Sequence, residues 1–288
     1  MSPQHGPAGP PPQRVAIFID GWNFRYATYE SFGLRVDYTK LLRYLSDGAI
    51  LVRAYFYTGE WDDGAIGRYA RLTSPADPLT KQREMEQQRD GERAFWRFLN
   101  RNGYRVVRKA VRVMTPEEGE TPQVKADLDL EMAIDMLSLA ERCDRIVLVS
   151  GDGDFVPLVD AVAKRGVRVV VLSTQSEDAF RNARYRASDD LLDAADEFIP
   201  IEGIRKFIER EHRPYPGARR EGGEEQPSGF RREPRGYGER GYGERGFGDR
   251  GGYGESRYGE QPGFRRGVPP RDLGLPVVDD EEDLQEDL

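Results

Sequence analysis

Short, uninterrupted apolar runs separated by segments of helix length restrict the fold of this chain more than any other feature. Residues 15–19 are five consecutive apolar residues, and similar runs occupy residues 146–149 and 169–172. A strand that is apolar at every position is covered on both faces. Because helical patterns lie between successive runs, the sequence predicts an α/β fold with a mainly parallel sheet flanked by helices.

The pattern places each element within a predicted domain at residues 14–210. Strands are predicted at 15–19, 50–57, 104–114, 145–149 and 167–172, with a short strand near 198–199. Helices are predicted at 37–46, 81–101, 127–141, 154–165 and 176–187. The segment 60–91 is polar and lacks a strand pattern. It is therefore interpreted as a lid or substrate-contacting insertion, or else as a tolerated loop that leads into a helix.

Both ends of the chain are expected to be disordered, because they cannot bury enough apolar surface to offset the entropy of ordering. Residues 1–13 form a Pro-rich arm, and residues 211–288 form an Arg-Gly-aromatic tail. Residues 213–271 carry 13 arginines and 9 acids, whereas residues 272–288 carry 8 acids and no base. Arginine and aromatic side chains on a flexible backbone predict RNA binding, or alternatively self-association into a homo-oligomer.

The rare residue types exclude several classes of site. Cys143 is the one cysteine, and the two histidines, His5 and His212, lie in the predicted arm and tail. A disulfide framework, a Cys/His zinc site and a Cys–His nucleophile are therefore excluded. No apolar run approaches the about 18 residues that span a bilayer, and the N-terminus resembles no signal peptide, so we expect a cytoplasmic protein without a membrane partner.

Acidic side chains follow two of the predicted strands directly. Asp20 and Asn23 come after the first strand, and Asp152 and Asp154 come after the fourth. Either motif alone is more often a turn or a helix cap. Ligands bind beyond the carboxyl ends of parallel strands, so two acidic motifs at one edge favour a functional site.

A third acidic group lies at the start of the predicted helix 127–141. Asp127, Glu131 and Asp135 share one helix face, which is interpreted as solvated surface. Asp129 instead begins the apolar face of Met132 and Met136, where a carboxylate is costly unless it is paired, acts as a cap or binds a cation. Carboxylates that converge without histidine or thiolate select Mg²⁺ or Mn²⁺. Such a cation supports phosphodiester hydrolysis.

At these motifs the chain resembles the NYN domain family, the LabA-like branch of the PIN-like nucleases. The resemblance covers about residues 14–208 and is carried by segments 18–23, 125–135, 149–155 and 195–199. It implies a Rossmann-like PIN fold and a divalent-metal-dependent ribonuclease site. The side chains that resemble the family's metal ligands are Asp20, Asp129, Asp152 and Asp154.

The resemblance also assigns secondary roles. Asn23 resembles the amide that orients the site, and Asp135 occupies the position of the family's second helix acid. Asp127 stays a rival to Asp129, because the spacing from lysine to aspartate varies in the family.

Three functions are compatible with the sequence. The leading hypothesis is a metal-dependent endoribonuclease that acts on single-stranded RNA and carries an RNA-binding tail. The first alternative is a non-catalytic RNA-binding or assembly protein that uses the domain as a scaffold. The second is a metal-dependent phosphatase or nucleotide hydrolase, since the same acids act on smaller phosphate esters.

Overall fold

A computed structural model of the chain describes residues 11–116, 121–175 and 186–211, which form a parallel sheet between two layers of helices. The strands of the main sheet are β1 (Arg14–Asp20), β2 (Ile50–Glu60), β3 (Tyr104–Ala110), β6 (Arg145–Val149), β7 (Arg168–Ser173) and β8 (Glu197–Pro200). Their order is β3-β2-β1-β6-β7-β8, and every neighbouring pair is parallel. The predicted α/β class is confirmed.

The helices lie between these strands. They are α1 (Gly21–Arg25), which continues into a π-helical turn (Tyr26–Glu30), α2 (Tyr38–Leu45), α3 (Asp63–Thr73), α4 (Pro78–Arg101), α5 (Asp129–Ala140), α6 (Val156–Ala163), α7 (Asp189–Ala194) and α8 (Ile201–Ile208). The first four begin after an aspartate whose side chain accepts a backbone N–H of the first turn: Asp20, Asp37, Asp62 and Asp77. Such caps satisfy donors that a helix start leaves unpaired.

Strand β1 lies in the middle of the sheet and is buried on both faces. Residues 15–19 are all fully buried. The side chains of Val15, Ile17 and Ile19 pack with α1, α2, α4 and α8, whereas those of Ala16 and Phe18 pack with α5, α6 and α7. This is the double coverage that the apolar run predicts.

The third predicted strand, 104–114, is wrong in its last part. Strand β3 ends at Ala110, and the Val111 backbone N–H bonds to the carbonyl oxygen of Glu60, where β2 also ends. Beyond this point β4 (Arg112–Val113) pairs antiparallel with β5 (Val124–Lys125). The chain leaves the main sheet because β2 offers no further backbone partner.

The segment 60–91 is helical over most of its length, so its interpretation as a loop is wrong, whereas a substrate-contacting role stays a prediction. It contains α3 and the first half of α4, and their contact encloses Trp61, Ile66, Tyr69 and Met85. The polar composition hid this packing, because only a few apolar side chains on each helix face the other. The caps provided by Asp62 and Asp77 fix where the two helices start.

Some predicted segments lie outside the described residues, and the C-terminal part of the domain contains two helices that the pattern did not predict. Residues 176–185 of the predicted helix 176–187, residues 1–10 of the arm and residues 212–288 of the tail lie outside the described residues. Arg186 forms a β-bridge with Thr174, and helices α7 and α8 follow, neither of which the pattern predicted. Across the described ranges no helix combines the length and the apolar character that crossing a bilayer requires.

Candidate active site at the crossing of strands β1 and β6

The two acidic motifs meet where the chain reverses its direction of travel across the sheet. From β1 the chain moves outward to β2 and β3, whereas from β6 it moves the opposite way to β7 and β8. Strands β1 and β6 are neighbours, so the loops after Asp20 and Val149 leave the sheet side by side. A crevice at such a switch point is the usual ligand site of an open parallel sheet.

Asp20 ends strand β1 at this switch point and also caps helix α1. Its Oδ1 accepts the backbone N–H of Asn23 at 3.1 Å, and its Oδ2 accepts the Ser150 hydroxyl at 3.5 Å. Removal from solvent, with a smaller contribution from the negative charge of Asp152, raises the pKa of the Asp20 carboxyl to about 6. The capping interpretation of this motif is correct, and it does not exclude a site, because the capping carboxylate faces a second carboxylate.

Asp152 lies on the other side of the crevice, with only 7% of its surface exposed. Its Oδ1 accepts the backbone N–H of Asp154 at 3.0 Å. Its own backbone N–H bonds to the Ser150 oxygen at 3.2 Å, and this hydroxyl in turn donates to Asp20. Ser150 thus bridges the two acids. Sequence reasoning missed its role, although its position directly after β6 was a usable signal.

Asn23 connects the two loops through its side chain. Its Oδ1 accepts the backbone N–H of Gly151 at 3.0 Å. Gly151 itself has no room for a side chain, since a Cβ there would lie 2.8 Å from the Ser173 hydroxyl oxygen and 3.1 Å from Ala187 Cα. The β6 loop is therefore held on one side by an amide and on the other by close backbone packing. We refer to the group formed by Asp20, Asn23, Ser150 and Asp152 as the acidic crevice.

The rival residues Asp127 and Asp129 occupy different environments. Helix α5 begins at Asp129, two residues later than predicted, so Asp127 precedes the helix. Asp127 is exposed, and its carbonyl oxygen accepts the Lys109 ammonium at 2.6 Å. Asp129 is half-buried, and its Oδ2 is shielded from solvent. The buried start of an apolar helix face, predicted for Asp129, is confirmed, since Met132 and Met136 are buried.

Asp135 does not belong to a solvated stripe, so that interpretation is wrong. Its Oδ2 accepts the hydroxyl of Tyr57 at 2.8 Å. Burial and the bond to Asp135 raise the pKa of Tyr57, which keeps this hydroxyl protonated and able to donate. Tyr57 is buried and lies opposite Asp20 in the β1–β2 register. Strand register is invisible in a single sequence, so this pair could not be predicted.

Asp154 has an exposed side chain on the one-turn helix Gly153–Phe155. In the described part of the chain, no three Asp, Glu, His or Cys side chains are grouped closely enough to hold one metal ion. Of the predicted set Asp20, Asp129, Asp152 and Asp154, the structure links Asp20 and Asp152 through Ser150, and the convergence of all four stays a prediction. Asp154 is exposed, and its backbone N–H donates to Asp152.

Together, the doubly wound parallel sheet and the paired acids at its switch point define a Rossmann-like α/β domain with an acidic crevice. The model of the NYN domain family matches residues 14–202, and the chain belongs to this family. NYN domains are part of a nuclease-like superfamily.

The chain is similar to several known proteins. It is 33% identical over 208 residues to the low amplitude and bright protein LabA of Synechococcus elongatus, a match that covers 71% of this chain and 92% of LabA. It is 32% identical over 84 residues to an uncharacterized protein of Methanocaldococcus jannaschii, which covers 28% of this chain and 34% of that protein. The crystal structure of a protein of unknown function from Vibrio parahaemolyticus matches with a TM-score of 0.45 at 24% identity, over 70% of this chain and 96% of that one.

Proposed function

We propose that this protein is a divalent-metal-dependent endoribonuclease that hydrolyses phosphodiester bonds of single-stranded RNA. The observation that carries the proposal is the pair Asp20 and Asp152, which Ser150 bridges at the switch point of the sheet. Membership of a nuclease-like family supports the choice of phosphodiester hydrolysis over other reactions.

The electrostatics of the acidic crevice favour a bound cation. Asp152 is buried, and its charge adds to the desolvation that raises the pKa of Asp20. Two such carboxylates destabilise each other when both are ionised, and a cation between them removes that penalty. The donors are oxygen atoms, which Mg²⁺ and Mn²⁺ prefer. The residues present therefore fit such an ion.

Each residue of the crevice has a part in the proposal. Asp20 and Asp152 would hold the cation, while Asn23 and Ser150 keep their two loops in register. Asp129 and Asp154 would contribute further negative charge near it. A bound cation supplies Lewis-acid polarisation of the phosphate and lowers the pKa of water.

The experiment compares wild type with Asp152→Asn on a labelled single-stranded RNA in Mn²⁺, in Mg²⁺ and in EDTA. Asp160→Asn is the matched control, because Asp160 is an exposed aspartate on α6 outside the crevice. We expect wild type and the control to cleave only with metal, and Asp152→Asn to be at least 100-fold slower, the order of loss typical of a group that stabilises the transition state.

Other outcomes decide between the proposals. Equal cleavage by wild type and Asp152→Asn contradicts the assignment of the site. RNA binding without cleavage by all three proteins favours a non-catalytic RNA-binding or assembly protein. Hydrolysis of a small phosphate ester without RNA cleavage favours a phosphatase.

A further inference from the structure

A second polar site lies between helix α4 and strand β3, away from the acidic crevice. It is a cavity of about 210 Å³, which we call the basic cavity. Its lining residues are Arg93, Trp96, Arg97, Asn100 and Arg108. All of them except Trp96 are exposed, so the cavity is accessible from solvent.

The basic cavity carries an excess of positive charge. Arg93 and Arg108 both form ion pairs with Glu60, at 3.2 and 3.3 Å. Arg97 has no ion-pair partner among the described residues. Three guanidinium groups therefore face one carboxylate, and each guanidinium has several N–H donors, of which one salt bridge uses only a part. This arrangement suits an anion with several oxygen acceptors.

Trp96 lines the basic cavity and carries a buried donor that lacks a partner. Only 3% of its surface is exposed, and its indole Nε1 is buried without a hydrogen-bond acceptor in the described part of the chain. A buried donor without a partner is costly and uncommon. The Arg108 guanidinium lies over the indole ring, 5.4 Å from its centroid. The ring is consequently not open for stacking on a base, whereas its N–H is suited to an oxygen atom.

The position of the basic cavity relates it to the acidic crevice. Glu60, which pairs with Arg93 and Arg108 of the cavity, is the last residue of β2. It comes three residues after Tyr57, which lies opposite Asp20 in the β1–β2 register. Strand β3 lies two strands from β1, which is about 10 Å across the sheet. Glu60 and Arg108 thus lie toward the same carboxyl end of the sheet as Asp20, with strand β2 between the two sites.

We propose that the basic cavity is a phosphate subsite that binds a backbone phosphate of the RNA strand, remote from the bond that is cleaved. Arg97 and its two neighbouring arginines pair with the phosphate oxygens, and Trp96 donates its indole N–H to one of them. This inference rests on the proposed ribonuclease function, because both sites would hold the same strand.

The test measures binding of a labelled 12-nucleotide single-stranded RNA to the full chain in EDTA, as a function of salt. Arg97→Ala removes a phosphate contact, so we expect about 10-fold weaker binding and a salt dependence reduced by about 0.7 in log–log slope. Trp96→Phe keeps the ring packing but loses the N–H, so binding weakens and the slope stays unchanged. The matched control is Arg101→Ala, one helical turn further along α4 and outside the cavity lining, and it retains wild-type binding.

Three results overturn the proposal. Equal losses for Arg97→Ala and Arg101→Ala show a diffuse basic surface, and unchanged binding for both Arg97→Ala and Trp96→Phe shows that RNA does not use the cavity. Inorganic phosphate is also added at constant ionic strength. If it binds the wild-type protein while Arg97→Ala keeps its RNA affinity, the cavity is a site for free phosphate and not for RNA. If Trp96→Phe does not fold, Arg97→Ala against Arg101→Ala carries the test.

Cleavage assays separate this proposal from the ribonuclease function. With Mn²⁺, Arg97→Ala is expected to raise KM and leave kcat unchanged, since the contact is remote from the reacting bond. Metal-dependent cleavage with no effect of the cavity variants contradicts the subsite alone. A protein that binds RNA through the cavity but never cleaves it contradicts the ribonuclease function alone.

Discussion

Tyr57 donates a 2.8 Å hydrogen bond to Asp135 and thereby fastens helix α5 to the strand that lies next to Asp20. Asp129, the first residue of the same helix, is six residues away from this anchor. The bond would therefore act on the candidate acid set through the position of the helix, which makes Asp135 a candidate positioning residue. Its carboxylate accepts the hydroxyl of a tyrosine within the protein.

Removing the Tyr57 hydroxyl is expected to lower stability. Tyr57→Phe leaves a carboxylate without its donor, and we expect the free energy of unfolding to fall by about 1–3 kcal/mol. Tyr55→Phe is the control, because Tyr55 lies on the same strand, stacks on Phe18 and has no hydroxyl partner among the described residues. Urea unfolding monitors both variants, and equal losses would contradict the role given to the Tyr57–Asp135 bond.

Asp20→Asn is expected to stabilise the metal-free protein at neutral pH. The pKa of Asp20 is about 6 in the fold against about 4 in the unfolded chain. Below pH 4 the carboxyl is protonated in both states and costs nothing. As pH rises from 4 to 6 the unfolded chain ionises first, so the folded state progressively loses stability relative to it. Asparagine removes this loss and keeps the capping oxygen.

The expected gain for Asp20→Asn is about 1–3 kcal/mol at pH 7 and near zero at pH 4, in EDTA. Chemical unfolding of wild type and variant across this range measures it. With Mn²⁺ the order reverses, because the cation binds the folded wild type and raises its melting temperature. If the variant is less stable than wild type at pH 7 in EDTA, the ionised Asp20 carboxylate does not destabilise the folded protein.

Gly151→Ala is expected to damage the acidic crevice. Its Cβ would meet the Ser173 oxygen at 2.8 Å and the backbone of Ala187 at 3.1 Å, so the β6 loop has to move. We expect a loss of about 1–3 kcal/mol in stability, together with weaker metal binding. Gly91→Ala is the control on α4, where a Cβ has open space and a helical alanine gains about 0.5–1 kcal/mol. Thermal unfolding distinguishes the two, and a neutral Gly151→Ala would contradict the close packing.

Deleting residues 272–288 is expected to strengthen RNA binding at low salt. The deletion removes 8 acids and no base, and we expect these acids to compete with RNA for the arginines of residues 213–271. The difference from wild type should shrink as salt increases, since screening shortens the reach of exposed charges. Fluorescence polarisation at several salt concentrations measures it, and identical affinities at low salt would exclude competition by the acidic segment.

The sequence was most informative where burial is uniform. A strand apolar at every position implies two covered faces, and parallel strands bring Asp20 and Asp152 to one edge whatever the details of the helices. Contacts that depend on strand register or on packing between distant segments could not be predicted from the sequence. The Ser150 bridge, the Tyr57–Asp135 bond and the α3–α4 contact around Trp61 each join segments whose relative placement no local pattern encodes.

The link between helices α1 and α4 has a consequence for substrate length. Arg25, at the end of the helix that Asp20 caps, pairs at 3.3 Å with Glu92, which is largely buried and adjacent to Arg93 of the basic cavity. One short run of contacts thus joins the two proposed RNA-binding sites and fixes the gap between them. The domain would then favour substrates above a minimum length. An oligonucleotide too short to bridge the gap would not reach the cavity, so Arg97→Ala would not change its rate of cleavage.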